Sequence, residues 1–242
     1  MLRRALGIFR FFGSLPTRLR QVVHQQQEAQ QADLPTADNI RFYRRALLVV
    51  VGVYTLIFAN IDFIRFWGFG YHTADFGSFI QILWYAGNGE WPVNSTSFPY
   101  IAGTSWLGFH FSPLIFILAP FFRLSGFAPE FLIIVHVVCM AFTALPLFAT
   151  CMRLGVKPRE AFTWALVYLL NPITLYATLF SIQDHTLAVP LFAIALWAVV
   201  ATRFRVFVAC LIGLLLAKEH FGVAVAGFGI LWGWYHKEWR RG

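Results

Sequence analysis

Several ionisable residues of this 242-residue chain lie directly against long apolar runs. Asp75 falls in Ala74-Asp75-Phe-Gly77, and His110 opens His110-Phe-Ser-Pro113. Asp184 and His185 end Ser181-Ile-Gln-Asp184-His185, and Ala217-Lys218-Glu219-His220 closes another run. An ionisable group at the centre of a membrane helix costs roughly 2.5–3.5 kcal/mol, so such residues stay near apolar helix for pairing or for function. A carboxylate such as Asp75 can act as a general base at the membrane surface. Its plainer role is a charge at a helix start, favoured by the dipole, with Thr73 as the cap. For Lys218 and Asp184 the structural alternative is a local ion pair bracing two helix ends. His110, Asp184, His185, Glu219 and His220 combine imidazole with carboxylate, a set that suits zinc or manganese and could contribute to a divalent-metal site. No tight ligand spacing accompanies them.

The elements that must position these residues follow from composition. The chain is 59% hydrophobic and 12% charged, against roughly 25% charged in soluble domains. That excludes an ordinary soluble globule, and it is the reverse of a disordered composition. Cys139, Cys151 and Cys210 are odd in number and sit inside apolar runs, so they read as small hydrophobes rather than a disulfide framework. The net charge of +8 fits basic cytoplasmic loops better than a nucleic-acid partner.

Residues 1–45 hold eight arginines and no long apolar run, and read as a partly flexible cytoplasmic tail. Met1 to Phe12 suits a short interfacial helix, and 13–40 a tether. The rest, 46–242, is an all-α polytopic membrane bundle with a long external loop over 67–129. Apolar runs at 46–61, 130–152, 161–180, 185–201, 206–217 and 221–235 are its six expected spans. Phe111 to Leu124 is different. Its central residues would rise only about 21 Å as a helix, against a hydrocarbon core of roughly 30 Å. With Pro113 and Pro120 it suits an interfacial or re-entrant helix.

Loop charge separates the two topologies. With 111–124 outside the membrane and the N-terminus inside, sixteen of the 19 Lys and Arg residues face the cytoplasm. If it spanned, only ten would. The positive-inside rule favours six spans. The short run 206–217 then needs Arg203, Arg205 and Lys218 as snorkelling ends. The same topology gathers Asp62, Asp75, Glu90, His110, Asp184, His185, Lys218, Glu219 and His220 on the external side. His136 reads as a hydrogen-bonded interior histidine, and Pro146 and Asn171-Pro172 as kinks. Trp91 and Trp106 are the external tryptophans placed to stack on a sugar or lipid.

The four motifs, in this order, resemble a family of predicted multi-pass bacterial membrane proteins of unknown function, number 2079, over about residues 45–235. That family is similar in turn to the C-type glycosyltransferases, which take sugars from polyprenyl-phosphate carriers on the side away from the cytoplasm. The resemblance implies an external active site with Asp75 as the acid of the first external loop and Asp184 as the acid after the third span. The interfacial helix of that loop then corresponds to His110–Leu124. Inverting glycosyl transfer needs a carboxylate to accept the acceptor proton and positive charge beside the departing phosphate. Asp75 fills the first role; Lys218, with Arg65 or Arg123, fills the second. The implied setting is a bacterial inner membrane with the N-terminus cytoplasmic. The implied partners are membrane lipid and a polyprenyl-phosphate-linked sugar. The competing expectation is a non-catalytic integral subunit, scaffolding or lipid-binding, that works with protein partners. A transporter fits less well, because the charges gather at one face rather than at the midplane.

Overall fold

The computed structural model describes residues 37–71, 73–95 and 104–237. The interfacial helix and tether expected over residues 1–36, and the tip of the external loop, lie outside the described residues. So does the Thr73 side chain. By its internal contacts the chain divides after Arg41, and residues 42–242 form one compact unit. All packing and site geometry below belongs to that unit.

The described structure is helical apart from a two-residue antiparallel ladder. Its first helix, α1 (Ala37–Trp67), starts within the segment expected as a tail. The external loop supplies α2 (Thr73–Gly87), then β1 (Val93–Asn94) paired with β2 (Thr104–Ser105), and a single turn α3 (Trp106–Phe109). A 3-10 segment over Pro113–Leu118 runs into α4 (Ala119–Leu124). Then follow α5 (Pro129–Phe142), α6 (Ala144–Arg153), α7 (Pro158–Leu170), α8 (Pro172–Phe180), α9 (Ala188–Val200), α10 (Phe204–Ala217) and α11 (Gly222–His236).

Prolines set most of these boundaries. Pro113, Pro129, Pro158 and Pro172 each begin a helix, where the missing N–H costs nothing. At Asn171 the chain bends by 50° between α7 and α8. The Asn171 side chain accepts a hydrogen bond from the Ile173 N–H at 2.8 Å and so caps α8. The kink expected at Asn171-Pro172 is therefore present.

Among the described residues two helical stretches are long and apolar enough to cross a membrane, Ala37–Trp67 and Pro129–Arg153; the bent α7–α8 pair makes a third if it is one span. Helices α9 and α10 have 13 and 14 residues and rise only about 20 Å each. The segment Pro113–Leu124 is also short, as its sequence suggested.

Four apolar clusters hold the described residues of the unit together, the smallest being Ala188, Leu214 and Ala217 between α9 and α10. Leu47 and Tyr54 of α1 pack with Ala144, Phe148, Ala161 and Leu169. The Thr178 hydroxyl donates to the Thr174 carbonyl at 2.8 Å, so the Tyr54 hydroxyl donates to Thr178 at 2.9 Å, tying α1 to α8. Ala195, Val199, Phe207, Cys210 and Trp232 join α9, α10 and α11. The remaining cluster builds the external loop. Phe79, Ile82 and Leu83 of α2 meet Trp106, Ile115, Phe122, Leu132 and Ile182. It anchors the loop on α5 and on the 181–187 connection, and thereby sets the position of the polar residues beside it.

Candidate functional site

Asp75, Ser78 and Phe79 of α2, Trp106 and His110 of the loop, Gln183 and Asp184 after α8, and Lys218 after α10 line one small cavity. Its volume is about 90 Å³. Five of the residues singled out in the sequence, Asp75, Trp106, His110, Asp184 and Lys218, thus come together from separate segments.

Asp184 is the buried centre of this group, 1% exposed. The Lys218 Nζ lies 3.0 Å from its Oδ1 and 2.9 Å from its Oδ2. The His185 Nδ1 lies 3.1 Å from Oδ1. Burial alone would raise the Asp184 pKa, but the hydrogen bonds from His185 and Lys218, with the lysine charge, hold it below its ordinary value. An ionised carboxylate only accepts, so His185 carries its proton on Nδ1 toward Asp184 and leaves Nε2 for another partner. The local pair that the sequence allowed for Lys218 and Asp184 is therefore formed.

Asp75 contrasts with Asp184. It lies in the first turn of α2 and is exposed, with no hydrogen bond or ion pair among the described residues. His110 faces Glu219 at 3.4 Å, and this contact links the loop to the segment after α10. Burial opposes the charge on Glu219, but its own backbone N–H, His110 and Lys218 together outweigh it and lower its pKa. Trp106 is buried, donates through Nε1 to the Ser112 hydroxyl at 2.9 Å and packs edge-on to Phe79. Trp91 is 66% exposed and stands outside the cavity.

The remaining sequence candidates go elsewhere. Arg65 does not line the cavity. It donates to Asp62 at 2.9 Å and to the Leu179 carbonyl, and lies over the Tyr71 ring at 5.5 Å. Asp62 is fully buried, and this is why an arginine is spent on it. Burial, reinforced by the Asp62 charge and opposed by Arg65, pushes the Tyr71 hydroxyl pKa well up. Arg123 is spent on the Gly87 carbonyl at 3.0 Å, where it caps the C-terminus of α2. His185 lies beside the cavity rather than in its lining, and His220 is exposed with its ring against Phe221 at 4.6 Å. Among the described residues no three His, Cys, Asp or Glu side chains are grouped to hold a metal ion.

Sequence reasoning missed the residues that position the Asp184 segment. His136 is buried in α5, with Nε2 3.0 Å from the Ala177 carbonyl and Nδ1 3.0 Å from the Thr186 hydroxyl. A carbonyl only accepts, so Nε2 carries the proton. Thr186 also accepts from the Gln183 N–H at 2.9 Å. This chain of bonds pins both ends of the segment holding Asp184. Just before it, Ser181 is buried with φ 143° and ψ 171°, a conformation nearly restricted to glycine and costing of order 1–3 kcal/mol. No sequence pattern marks Ser181; His136 was visible as an interior histidine but not as a support.

A second, larger cavity adjoins the first. It has a volume of about 460 Å³ and lies between α5 and α8, with Gln183 shared between the two.

Residues 65–242 match the profile of a predicted membrane protein family, DUF2079. The chain belongs to this family. The match covers the external loop, the cavity and every helix after α1. No curated protein and no solved structure matches the chain. Membership establishes a membrane protein with apolar helices.

Proposed function

We propose that this DUF2079 protein is an integral membrane glycosyltransferase that takes a sugar from a polyprenyl-phosphate carrier on the external face of a bacterial inner membrane. The proposal includes a topology of six spans with the N-terminus cytoplasmic, in which the cavity lies on the external side; the loop charges support it. The observation that carries the reading is the contrast between two carboxylates on one cavity. Asp184 is buried and engaged by Lys218 and His185, whereas Asp75 is exposed and unengaged among the described residues. Two acids held in such different environments suit two different tasks.

In the proposed step, Asp75 takes the proton of an acceptor hydroxyl as that oxygen bonds to the anomeric carbon of the sugar. The bond from that carbon to the carrier phosphate breaks, and the phosphate leaves with the electron pair. Lys218, anchored by Asp184, supplies positive charge beside the departing oxygen. At about 90 Å³ the cavity is far below the roughly 300–1,000 Å³ of whole-ligand pockets. It accommodates reacting groups, with the bulk of each substrate outside it.

The test uses purified protein in proteoliposomes with a panel of polyprenyl-phosphate hexoses and pentoses, read as release of polyprenyl phosphate. Wild type is expected to consume a member of the panel. Asp75→Asn should slow release by about 10²–10⁴-fold, the usual range for losing a general base, with unchanged thermal stability. Equal release by wild type and Asp75→Asn would overturn the assignment of the base.

One observation favours a second reading. The Lys218–Asp184 and His110–Glu219 contacts brace three segments against one another whether or not a substrate binds. A non-catalytic subunit would use the same contacts as scaffolding. It would co-purify with a stoichiometric partner and be indifferent to Asp75→Asn.

A further inference from the structure

The larger cavity has a chemical gradient along its length. One wall is a single face of α8, with Ile173, Tyr176, Ala177 and Phe180 at helical spacing, and Met140 of α5 stands opposite. From Ile173 to Phe180 the helix rises about 10 Å. This part is apolar and lies along helices made of apolar residues. Beyond Phe180 the lining changes to Ser181, Gln183, His185 and Thr186. The change occurs where α8 ends and the Asp184 segment begins. Ile173 and Tyr176 are 78% and 67% exposed, so the apolar end is open at the side of the bundle.

We infer that this groove holds one hydrocarbon chain of a membrane lipid, with a phosphate head at the Gln183–His185 end. A hydrocarbon chain suits this wall because it is mostly apolar: the Tyr176 hydroxyl lies at the open rim, and both nitrogens of the lining His136 are already engaged by Thr186 and the Ala177 carbonyl. The polar end offers donors and no exposed carboxylate. Asp184 is turned away, sealed by Lys218 and His185. A phosphate there would meet the Gln183 amide N–H groups as donors, and the His185 Nε2 as a donor only when that ring holds a second proton, because its Nδ1 proton is turned to Asp184. The volume of about 460 Å³ lies within the usual range for ligand pockets, unlike the small cavity. Because Gln183 borders both cavities, a head at this end lies next to Asp75 and Lys218. That this chain is the tail of the sugar donor rests on the transferase reading; the binding itself does not.

The full chain in a maltoside micelle is titrated with dodecyl phosphate, and retained adducts are counted by native mass spectrometry. Dodecanol and inorganic phosphate serve as the two halves of the probe. Wild type should retain one dodecyl phosphate, at least about tenfold more than dodecanol or phosphate alone. Ala177→Phe fills the groove and should remove that adduct. Ile173→Trp narrows the exposed rim without entering the packed interior, and should weaken binding even if Ala177→Phe fails to fold. His185→Ala should reduce the preference for dodecyl phosphate over dodecanol. Equal adducts in wild type and Ile173→Trp, or no preference for the joined probe over its halves, would overturn the inference. The probe carries no sugar, so its binding is read separately from transfer. Binding without donor turnover would sink the transferase reading alone, and turnover without groove-dependent binding would sink this one.

Discussion

At the scale of single residues, the central feature is a buried charge pair with an asymmetric dependence. Lys218 and Asp184 have side chains 17% and 2% exposed. Removing one member of a buried pair leaves the other charge uncompensated and typically costs about 3–5 kcal/mol, whereas removing both is much milder. Lys218→Met is therefore expected to lower stability by about that amount in a detergent unfolding measurement. Asp184→Asn in the same chain should recover much of the loss; additive costs would show that the two groups are not coupled. The pair also fixes a pH response. The folded-state pKa of Asp184 lies below its ordinary value of 3.8. Its stabilising contribution is therefore complete above that value and is lost as pH falls through the lower folded one. Wild type should lose stability relative to Asp184→Asn only on acidification below about pH 4, and a gap already closing near neutral pH would contradict this account. The sequence showed which residues were chemically unusual, because charges beside apolar runs are rare. It did not show which were engaged. Arg65 and Arg123 were candidates beside Lys218, yet Asp62 and the Gly87 carbonyl engage them away from the cavity; the i,i+3 spacing of Asp62 and Arg65 was legible on a helix, whereas the Arg123 contact, 36 residues away in sequence, was not.

At the scale of elements, close helix packing depends on small residues at particular contacts. In α10, a Cβ added at Gly213 would stand 2.8 Å from the Leu191 Cδ1 of α9. Within a membrane, helices gain little from hydrophobic exclusion and rely on such close approach. Leu191 meets Gly213 with the end of a flexible side chain, so Gly213→Ala should cost less than about 1 kcal/mol. Gly213→Ile cannot be absorbed by one rotamer and should cost about 1–3 kcal/mol, the usual range for overpacking. Thermal unfolding of the two variants checks the order; equal effects would mean that α9 and α10 do not meet there. The helices themselves were legible, because proline and asparagine punctuate the apolar runs at Pro113, Pro129, Pro158 and Asn171-Pro172. What was not legible was how the external loop packs. Its apolar face on α2 was visible at helical spacing, but its partners Phe122, Leu132 and Ile182 come from three distant segments, and periodicity carries no information about partners.

At the scale of the whole molecule, helix length and loop charge pull in different directions. Among the described residues two helical stretches are long and apolar enough to cross a membrane, while α9 and α10 rise only about 20 Å each. Short helices can still cross where flanking basic residues snorkel and the bilayer thins. The sequence suggested Arg203, Arg205 and Lys218 for this purpose around α10. Lys218 is instead turned to Asp184, which leaves Arg203 and Arg205, at the other end of α10, as the snorkelling residues. If α9 and α10 entered and left on the external side without crossing, those two arginines would sit near the membrane centre. Two such charges would cost roughly 5–7 kcal/mol on insertion scales, more than a few ångströms of thinning on each side. Crossing is therefore the expected arrangement. It predicts that, with Cys139, Cys151 and Cys210 replaced by alanine, Thr202→Cys in the α9–α10 turn reacts with an impermeant maleimide only from the cytoplasmic side. Glu90→Cys, exposed after α2, should react only from the external side. A Thr202→Cys thiol shielded from both sides would mean that α9 and α10 form a re-entrant hairpin. The six-span topology would then be wrong, although Asp184 and Lys218 would still face one another across the same cavity.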